Sequence, residues 1–331
     1  MTAYETKADG HDHDHSPGHD HGSGQGSGHG SGHGHGHSHS HGHGDHDIDW
    51  AEMAPVLEQN AEVTAPLYRQ VAAWLRELRA AAAEPSLIVD AGSGPGVVTS
   101  LLAQAFPEAE VVAADPERAL LDRAEARAAR LGLADRVRAH RAELPDGLGE
   151  LPPADLIWAA RSVHHVGDQV AALTALGERL APGGALAVLE GGLPPRSLPR
   201  DIGVGRPGLQ ARLDAANEEW FARMRASLPG ATGATEDWAA LLTAAGLRHT
   251  ATRTFLLDLP APLDERARAH VIDTFERYRG LAAAEGPEAL AADDVTVLNR
   301  LLDPEDELSL HRRRDVFLLV AHTVHVAVKE G

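Results

Sequence analysis

From residue 48 onward the apolar positions follow two rhythms. Over 48–83, Trp50, Met53, Val56, Leu57, Val63, Leu67, Val71 and Leu75 recur mostly at three- and four-residue steps, which predicts amphipathic helices. Pro55 and Pro66 are expected at breaks or first turns, because proline inside a helix removes a hydrogen bond and crowds the preceding turn. After Pro85 short apolar runs alternate with helical stretches. Strands are predicted at 86–91, 110–114, 136–141, 155–160 and 185–190, the last introduced by Pro182-Gly183-Gly184. Helices are predicted at 97–105, 117–131 and about 168–180. Strands separated by helices of this length imply parallel crossover units.

The last third reads differently. Helices over about 208–227 and 235–245 precede two β-rich runs, 248–259 and 316–329, separated by mostly helical sequence. Two late strands fit a pair with one antiparallel member. The expected fold is therefore α/β and Rossmann-like: a seven-stranded, mostly parallel sheet with an antiparallel last strand, helices on both faces and helical cap insertions. The insertions, 194–232 and 260–312, are expected at the carboxyl edge of the sheet, where open α/β sheets bind ligands. The chain divides into a tail (1–47), cap helices (48–84), a core (85–193), and insertions with the last two strands (194–331).

Composition changes the picture at the N-terminus. Residues 1–47 hold 13 of the 21 His and 12 of the 33 Gly, with almost nothing apolar to bury. Spaced imidazoles at His33, His35, His37, His39, His41 and His43 are candidate ligands for Zn or Ni. The absence of Cys excludes disulfides, thiolate metal sites and a Cys nucleophile. A formal charge of −19 argues against binding nucleic acid. No apolar run is long enough for a membrane span and no secretory leader is evident, so a soluble, cytoplasmic protein is expected. Nothing in the sequence fixes an oligomeric state.

Candidate chemistry concentrates after the first strand, in Asp90-Ala91-Gly92-Ser93-Gly94-Pro95-Gly96. Glycines there let the backbone turn sharply and approach a ligand, and the following helix offers free N–H groups. A dinucleotide fingerprint needs a glycine where Val97 stands. With the acid ahead of the first glycine, D-x-G-x-G-x-G resembles motif I of class I S-adenosylmethionine-dependent methyltransferases. Ile157–Asp168, containing Arg161, His164 and His165, is similar to the strand-four exit of small-molecule methyltransferases. Leu180-Ala181-Pro182-Gly183-Gly184-Ala185-Leu186 is similar to the approach to strand five in that family. The resemblance covers about 86–191, and is nearest to the branch that includes ubiquinone and menaquinone biosynthesis enzymes.

The resemblance implies S-adenosylmethionine as cofactor and a small-molecule O, N or C acceptor. It implies cofactor contacts from Asp90, Gly92, Ser93, Gly94 and Gly96, and from Asp115 to the ribose hydroxyls with Pro116 on the adenine. Ala142 and Glu143 match the segment that meets the adenine amino group, with His140 and Arg141 as register alternatives. Ala160 and Arg161 complete the cofactor set. Arg161 could instead bind an acceptor carboxylate or pair with Asp168. His164 or His165 is the candidate general base, since imidazole titrates near neutrality. The Ala-Ala-Arg-Ser exit lacks the motif used on exocyclic base amines and the carboxylates that a magnesium-dependent catechol chemistry needs. Trp220, Phe221, Met224, Trp238, Phe255, Phe275 and Tyr278 are the large side chains available to wall an acceptor pocket, with Tyr68 and Trp50 closing it. The charge runs at 265–268 and 311–314 read as solvated faces. The competing reading is a metal-handling protein whose tail does the binding and whose folded domain is catalytically silent.

Overall fold

The computed structural model describes residues 50–80, 83–143, 146–233, 235–285 and 290–331. The tail, with its histidine ligand candidates, lies outside the described residues, as does the side chain of Trp50. Among the described residues no group of three or more His, Asp or Glu side chains is arranged to hold a metal ion. No described helix is long and apolar enough to cross a membrane. Residues Ile48–Gly331 form one compact unit.

Seven strands make one sheet: β1 (Leu87–Ala91), β2 (Glu110–Asp115), β3 (Val137–Arg141), β4 (Ala154–Ala160), β5 (Leu180–Arg196), β6 (Arg248–Leu259) and β7 (Leu318–Val328). Their spatial order is β3-β2-β1-β4-β5-β7-β6. β1 to β5 pair in parallel, while β7 runs antiparallel to both β5 and β6. The order reverses between β1 and β4, which places a crevice at their carboxyl ends. β1 is buried at every position, as expected of a mostly apolar strand covered on both faces.

Helices α2 (Val97–Ala105), α3 (Arg118–Arg130) and α4 (Gln169–Glu178) link the early strands. Alternate strand residues feed two cores. Ile88, Leu156 and Trp158 face one, with α1 (Trp50–Leu78), α7 (Glu265–Glu285) and α8 (Ala292–Leu302). Val89, Ile157 and Val188 face the other, with α4 and α6 (Trp238–Ala244). The remaining helix, α5 (Leu209–Ser227), follows β5. Its Arg225 donates to the carbonyls of His164 and Val166 at 2.7 and 2.6 Å, so it stands over the exit of β4. By strand polarity β6 ends, and β7 begins, at that same edge. The segment after β5 therefore starts at that edge, and the segment between β6 and β7 starts and ends there.

Three expectations change. The N-terminal segment is a single 29-residue helix that runs through Pro55 and Pro66. An interior proline costs about 3 kcal/mol. Burial of Val63, Leu67, Tyr68, Val71 and Leu75 offsets it, at roughly 1.5–3 kcal/mol for each large apolar side chain. β5 is longer than its apolar run, and continues beside β7 across a register shift between Leu189 and Gly192. Gly192 permits this with φ 123°, since a Cβ there would meet the Ala321 carbonyl at 2.1 Å. The charge runs are not simply solvated. Arg268 donates to the carbonyls of Leu310 and Arg313 at 2.5 and 2.8 Å, and Arg313 pairs with Asp315.

Polar ties fix the cap. Glu58 on α1 accepts from Arg123, Arg127 and Arg130 on α3 at 3.1, 3.2 and 3.0 Å. Tyr278 on α7 donates to the buried Asp214 on α5 at 2.6 Å. Arg206 and Arg212 meet the buried Asp294 on α8 at 2.9 and 2.7 Å. Glu58→Ala is expected to lower unfolding stability by about 1–2 kcal/mol in urea titration, since a half-buried carboxylate serving three guanidiniums exceeds a simple surface pair. The deficit should shrink in high salt; a deficit near zero in low salt would show that α1 is held by its apolar face alone.

Candidate functional site

The turn after β1 contains three glycines in the left-handed region: Gly92 (φ 78°), Gly94 (φ 53°) and Gly96 (φ 75°). They have different reasons for being glycine. A Cβ on Gly96 would sit 2.4 Å from the Ala124 Cβ, so this position lets the start of α2 pack against α3. A Cβ on Gly94 would meet nothing within 4 Å, so this position borders open space. The Gly92 and Ser93 N–H groups both donate to the Ala114 carbonyl, at 2.9 and 3.1 Å, docking the turn on β2.

Two acids flank the turn. Asp90 is buried beneath it and accepts from Thr99 Oγ1 at 2.6 Å, tying β1 to α2. Burial pushes its carboxyl up to about 7, opposed by the Thr99 bond and assisted by the Asp115 charge. Asp115 ends β2 and accepts from the Gly94 N–H at 2.9 Å through Oδ2 and from the Glu117 N–H at 3.0 Å through Oδ1. Burial raises its carboxyl too, against the pull of those two bonds. Pro116 follows, and its carbonyl accepts from Arg141 Nε at 2.9 Å. The Ala142 N–H donates to the Asp115 carbonyl at 3.1 Å, which brings Ala142 and Glu143 beside Asp115. His140 is instead engaged with the Gly147 carbonyl at 3.1 Å.

β4 leaves the sheet through Ala160 and Arg161. With φ 53°, Arg161 is the one non-glycine residue in the left-handed region among the described residues, a strain that tends to collect at functional sites. Its N–H donates to the Leu189 carbonyl at 3.0 Å. It does not pair with Asp168, which caps α4 by accepting from the Ala171 N–H at 2.9 Å. A short 3-10 turn, Val163–His165, follows.

That turn is held by Glu190, a buried residue on β5 that sequence reasoning missed. Glu190 Oε1 accepts from the Val163 and His164 N–H groups at 3.1 and 3.4 Å, while Oε2 meets His164 Nδ1 at 2.8 Å. The His164 ring lies 4.2 Å from that of His165 and edge-on to Phe221 at 5.5 Å. His165 is exposed. A charged residue closing an otherwise apolar run was the available signal for Glu190, as it was for Asp90 and Asp115.

Nearby, side chains of α1 meet β4, β7 and α7. Tyr68 stacks on His322 with centroids 6.3 Å apart and meets Trp158 edge-on at 6.4 Å. Burial and the Arg161 charge push His322 down to about 4. His270 is also near 4, through burial and the charges of Arg277 and Arg161, and its Nδ1 meets Asn60 Oδ1 at 2.8 Å. Of the large side chains offered for the pocket wall, Trp238, Phe255, Phe275 and Tyr278 are buried core residues. With so few aromatics in the chain, the sheet faces take them first. Phe221 is the one that reaches the β4 exit, against His164.

Asp90 gives the turn a pH signature. The folded state holds its proton more tightly than the unfolded chain, so ionisation of Asp90 opposes folding. Its contribution is most favourable near pH 4 and is withdrawn as pH rises to about 7. Asp90→Asn keeps an acceptor for Thr99 and removes the charge. Its stability relative to wild type should therefore climb between pH 4 and 7, by at most about 1.4 kcal/mol per pH unit. A difference that stays constant across that range would show that Asp90 is not buried as described.

Known proteins resemble this chain over the same region. A family model described as "Methyltransferase domain" matches residues 89–186. A protein of Methylobacterium radiotolerans named trans-aconitate 2-methyltransferase is 40% identical over 31% of this chain and 37% of its own length. A protein of the same name from Methylobacterium nodulans is 32% identical over 62% of this chain and 81% of its own. Two of the curated relatives are matched over only 24% and 37% of their lengths. Among solved structures, the N-methyltransferase NodS from Bradyrhizobium japonicum has a TM-score of 0.40 at 16% identity, covering 80% of this chain and 98% of that one. The alignment to the M. nodulans protein runs well beyond the core motifs to take in 81% of that relative, and this chain belongs to the methyltransferase-domain family.

Proposed function

We propose that this protein is an S-adenosylmethionine-dependent methyltransferase acting on a small organic acceptor. The observation that carries the reading is the open space at Gly94, bordered by the carboxylate of Asp115. The residues fit the cofactor. Gly94 leaves bare backbone facing open space just ahead of α2, and an acid sits one strand over where it can accept from ribose hydroxyls. Pro116 and the Ala142–Glu143 segment lie beside that acid, placed to meet the adenine. Asp90 supports the turn from beneath and makes no direct contact. When bound, S-adenosylmethionine supplies a methyl group already activated on a sulfonium.

The chain's own task is to bind, orient and exclude water, and alignment of reacting groups is itself worth a large part of the barrier. Several matched relatives are named for trans-aconitate, a small unsaturated carboxylic acid, and this favours an organic acid as acceptor here. The exposed Arg161 at the exit of β4 also suits an acid better than the apolar ring of a quinone. A carboxylate is already ionised at neutral pH and needs no base. On this reading the His164–Glu190 pair positions the β4 exit, and transfer does not depend on proton removal by either histidine.

Calorimetric titration with S-adenosylhomocysteine tests the reading. The wild type should bind, and Asp115→Ala should weaken binding by about 1.5–3 kcal/mol, as for hydrogen bonds to a charged group. Gly94→Ala should fold with a stability loss of about 1–2 kcal/mol from its positive φ, yet bind poorly because the methyl group enters the ligand's space. Gly96→Ala should lose more stability, because α3 must move. Equal binding by wild type, Asp115→Ala and Gly94→Ala would sink the assignment.

A further inference from the structure

Helix α5 is anchored at one end. Its buried residues, Leu209, Gln210, Leu213 and Asp214, all lie in the first two turns. There Gln210 accepts from the Ser197 and Leu198 N–H groups at 2.9 and 3.2 Å and donates to the Pro195 carbonyl at 2.6 Å. Asp214 accepts from Tyr278 on α7 at 2.6 Å. Beyond Asp214 no residue of the helix is buried. Asn217, Phe221, Met224, Arg225 and Leu228 recur at helical spacing as a single half-buried face.

What this second half rests on is the turn that leaves β4. Arg225 donates to the carbonyls of His164 and Val166 at 2.7 and 2.6 Å, and Phe221, one turn earlier, meets the His164 ring edge-on at 5.5 Å. The chain after α5 rests on the same turn. The Thr232 N–H donates to the Gly167 carbonyl at 3.2 Å, and a Cβ on Gly167 would lie 2.1 Å from the Pro229 carbonyl oxygen. The backbone of 163–167 is thus gripped from two sides: Glu190 takes its N–H groups and Arg225 its carbonyls. The two grips differ in permanence. Glu190 sits on β5, a strand paired on both sides within the sheet. Arg225 belongs to a segment whose further tie, the ion pair of Arg223 with Glu285 on α7, is at the surface and weak.

We infer that residues 217–233 form a lid over the acceptor end of the crevice, with Arg225 as its latch and as a positioning residue for the exit of β4. This deepens the methyl-transfer reading and rests on it. A segment with no buried side chain opens without disrupting a core, by bending or unwinding α5 past Asp214. Closed, it holds the His164 turn in place and shields the crevice from water. The latch joins protein to protein, so it is the same whether the crevice is empty or occupied. Loosening it therefore speeds ligand entry and ligand exit together and leaves affinity unchanged.

The test uses the full chain with S-adenosylhomocysteine as probe. Arg225→Ala and Gly167→Ala release the latch from opposite sides of the contact, the second because its new methyl group displaces the 229–231 backbone. Arg225→Lys is the conservative variant. In both alanine variants, hydrogen exchange of the ligand-free protein should quicken in 217–233 and 163–167, while 209–214 stays protected. Surface plasmon resonance should show association and dissociation rates both rising about tenfold, as for loss of a charge-assisted hydrogen bond, with Kd constant within about twofold. Arg225→Lys keeps a donor and should recover part of the change. A helix that only packs against the turn would give no paired rise in the two rates. Unchanged rates in both alanine variants, or a change in Kd alone, would overturn the inference. So would loss of protection along the whole of α5, which would mean unfolding of the helix in place of opening. If the exchange pattern holds while the wild type binds no S-adenosylhomocysteine at all, the latch stands and the methyl-transfer reading falls.

Discussion

The hydrogen bond from the Gly94 N–H to Asp115 joins the exits of two adjacent parallel strands, and the rest of the crevice is arranged around it. A carboxylate at a buried strand end is costly unless donors meet it. Here the donors are backbone groups, one from the glycine turn and one from the start of α3. Because the donors are main chain, the space above the turn is left free of side chains. Asp90, on the neighbouring strand and bonded to Thr99, adds to the electrostatic load of the region. The turn is therefore a place where the fold tolerates unfavourable charge burial to keep a surface open.

His270 and His322 are both pushed down to about 4 by burial and nearby arginine charge, so both are neutral at neutral pH. The helical cap packs on this part of the sheet. Its polar ties, Glu58 to α3, Tyr278 to Asp214 and the arginines on Asp294, fix α1, α5, α7 and α8 around the carboxyl edge.

Much of the cradle was legible in the sequence. Buried parallel strands read as short apolar runs, so β1, β2 and β4 fall where the pattern puts them; Asp90 and the glycine turn are local in sequence, and Asp115 closes the next apolar run. The rest was not legible in the same way. His270 comes from an insertion whose helical pattern gives its period but not that it meets Asn60 on α1. Glu190 closes an apolar run and finds its partner His164 26 residues upstream, a pairing that only the sheet register creates. The N-terminal helix runs through two prolines because its buried face outweighs their local cost, a balance that propensity alone misjudges. The aromatic residues went to the cores rather than to the pocket, since two sheet faces must be covered with very few of them.

Amide hydrogen exchange, followed by mass spectrometry with and without saturating S-adenosylhomocysteine, tests the central claim most directly. If the glycine turn and the exits of β2 and β3 form the cradle, exchange should slow in peptides spanning 91–99, 114–118 and 140–143, while β6 and α8 remain unchanged. Binding accompanied by protection elsewhere, with the turn exchanging as fast as before, would contradict the account.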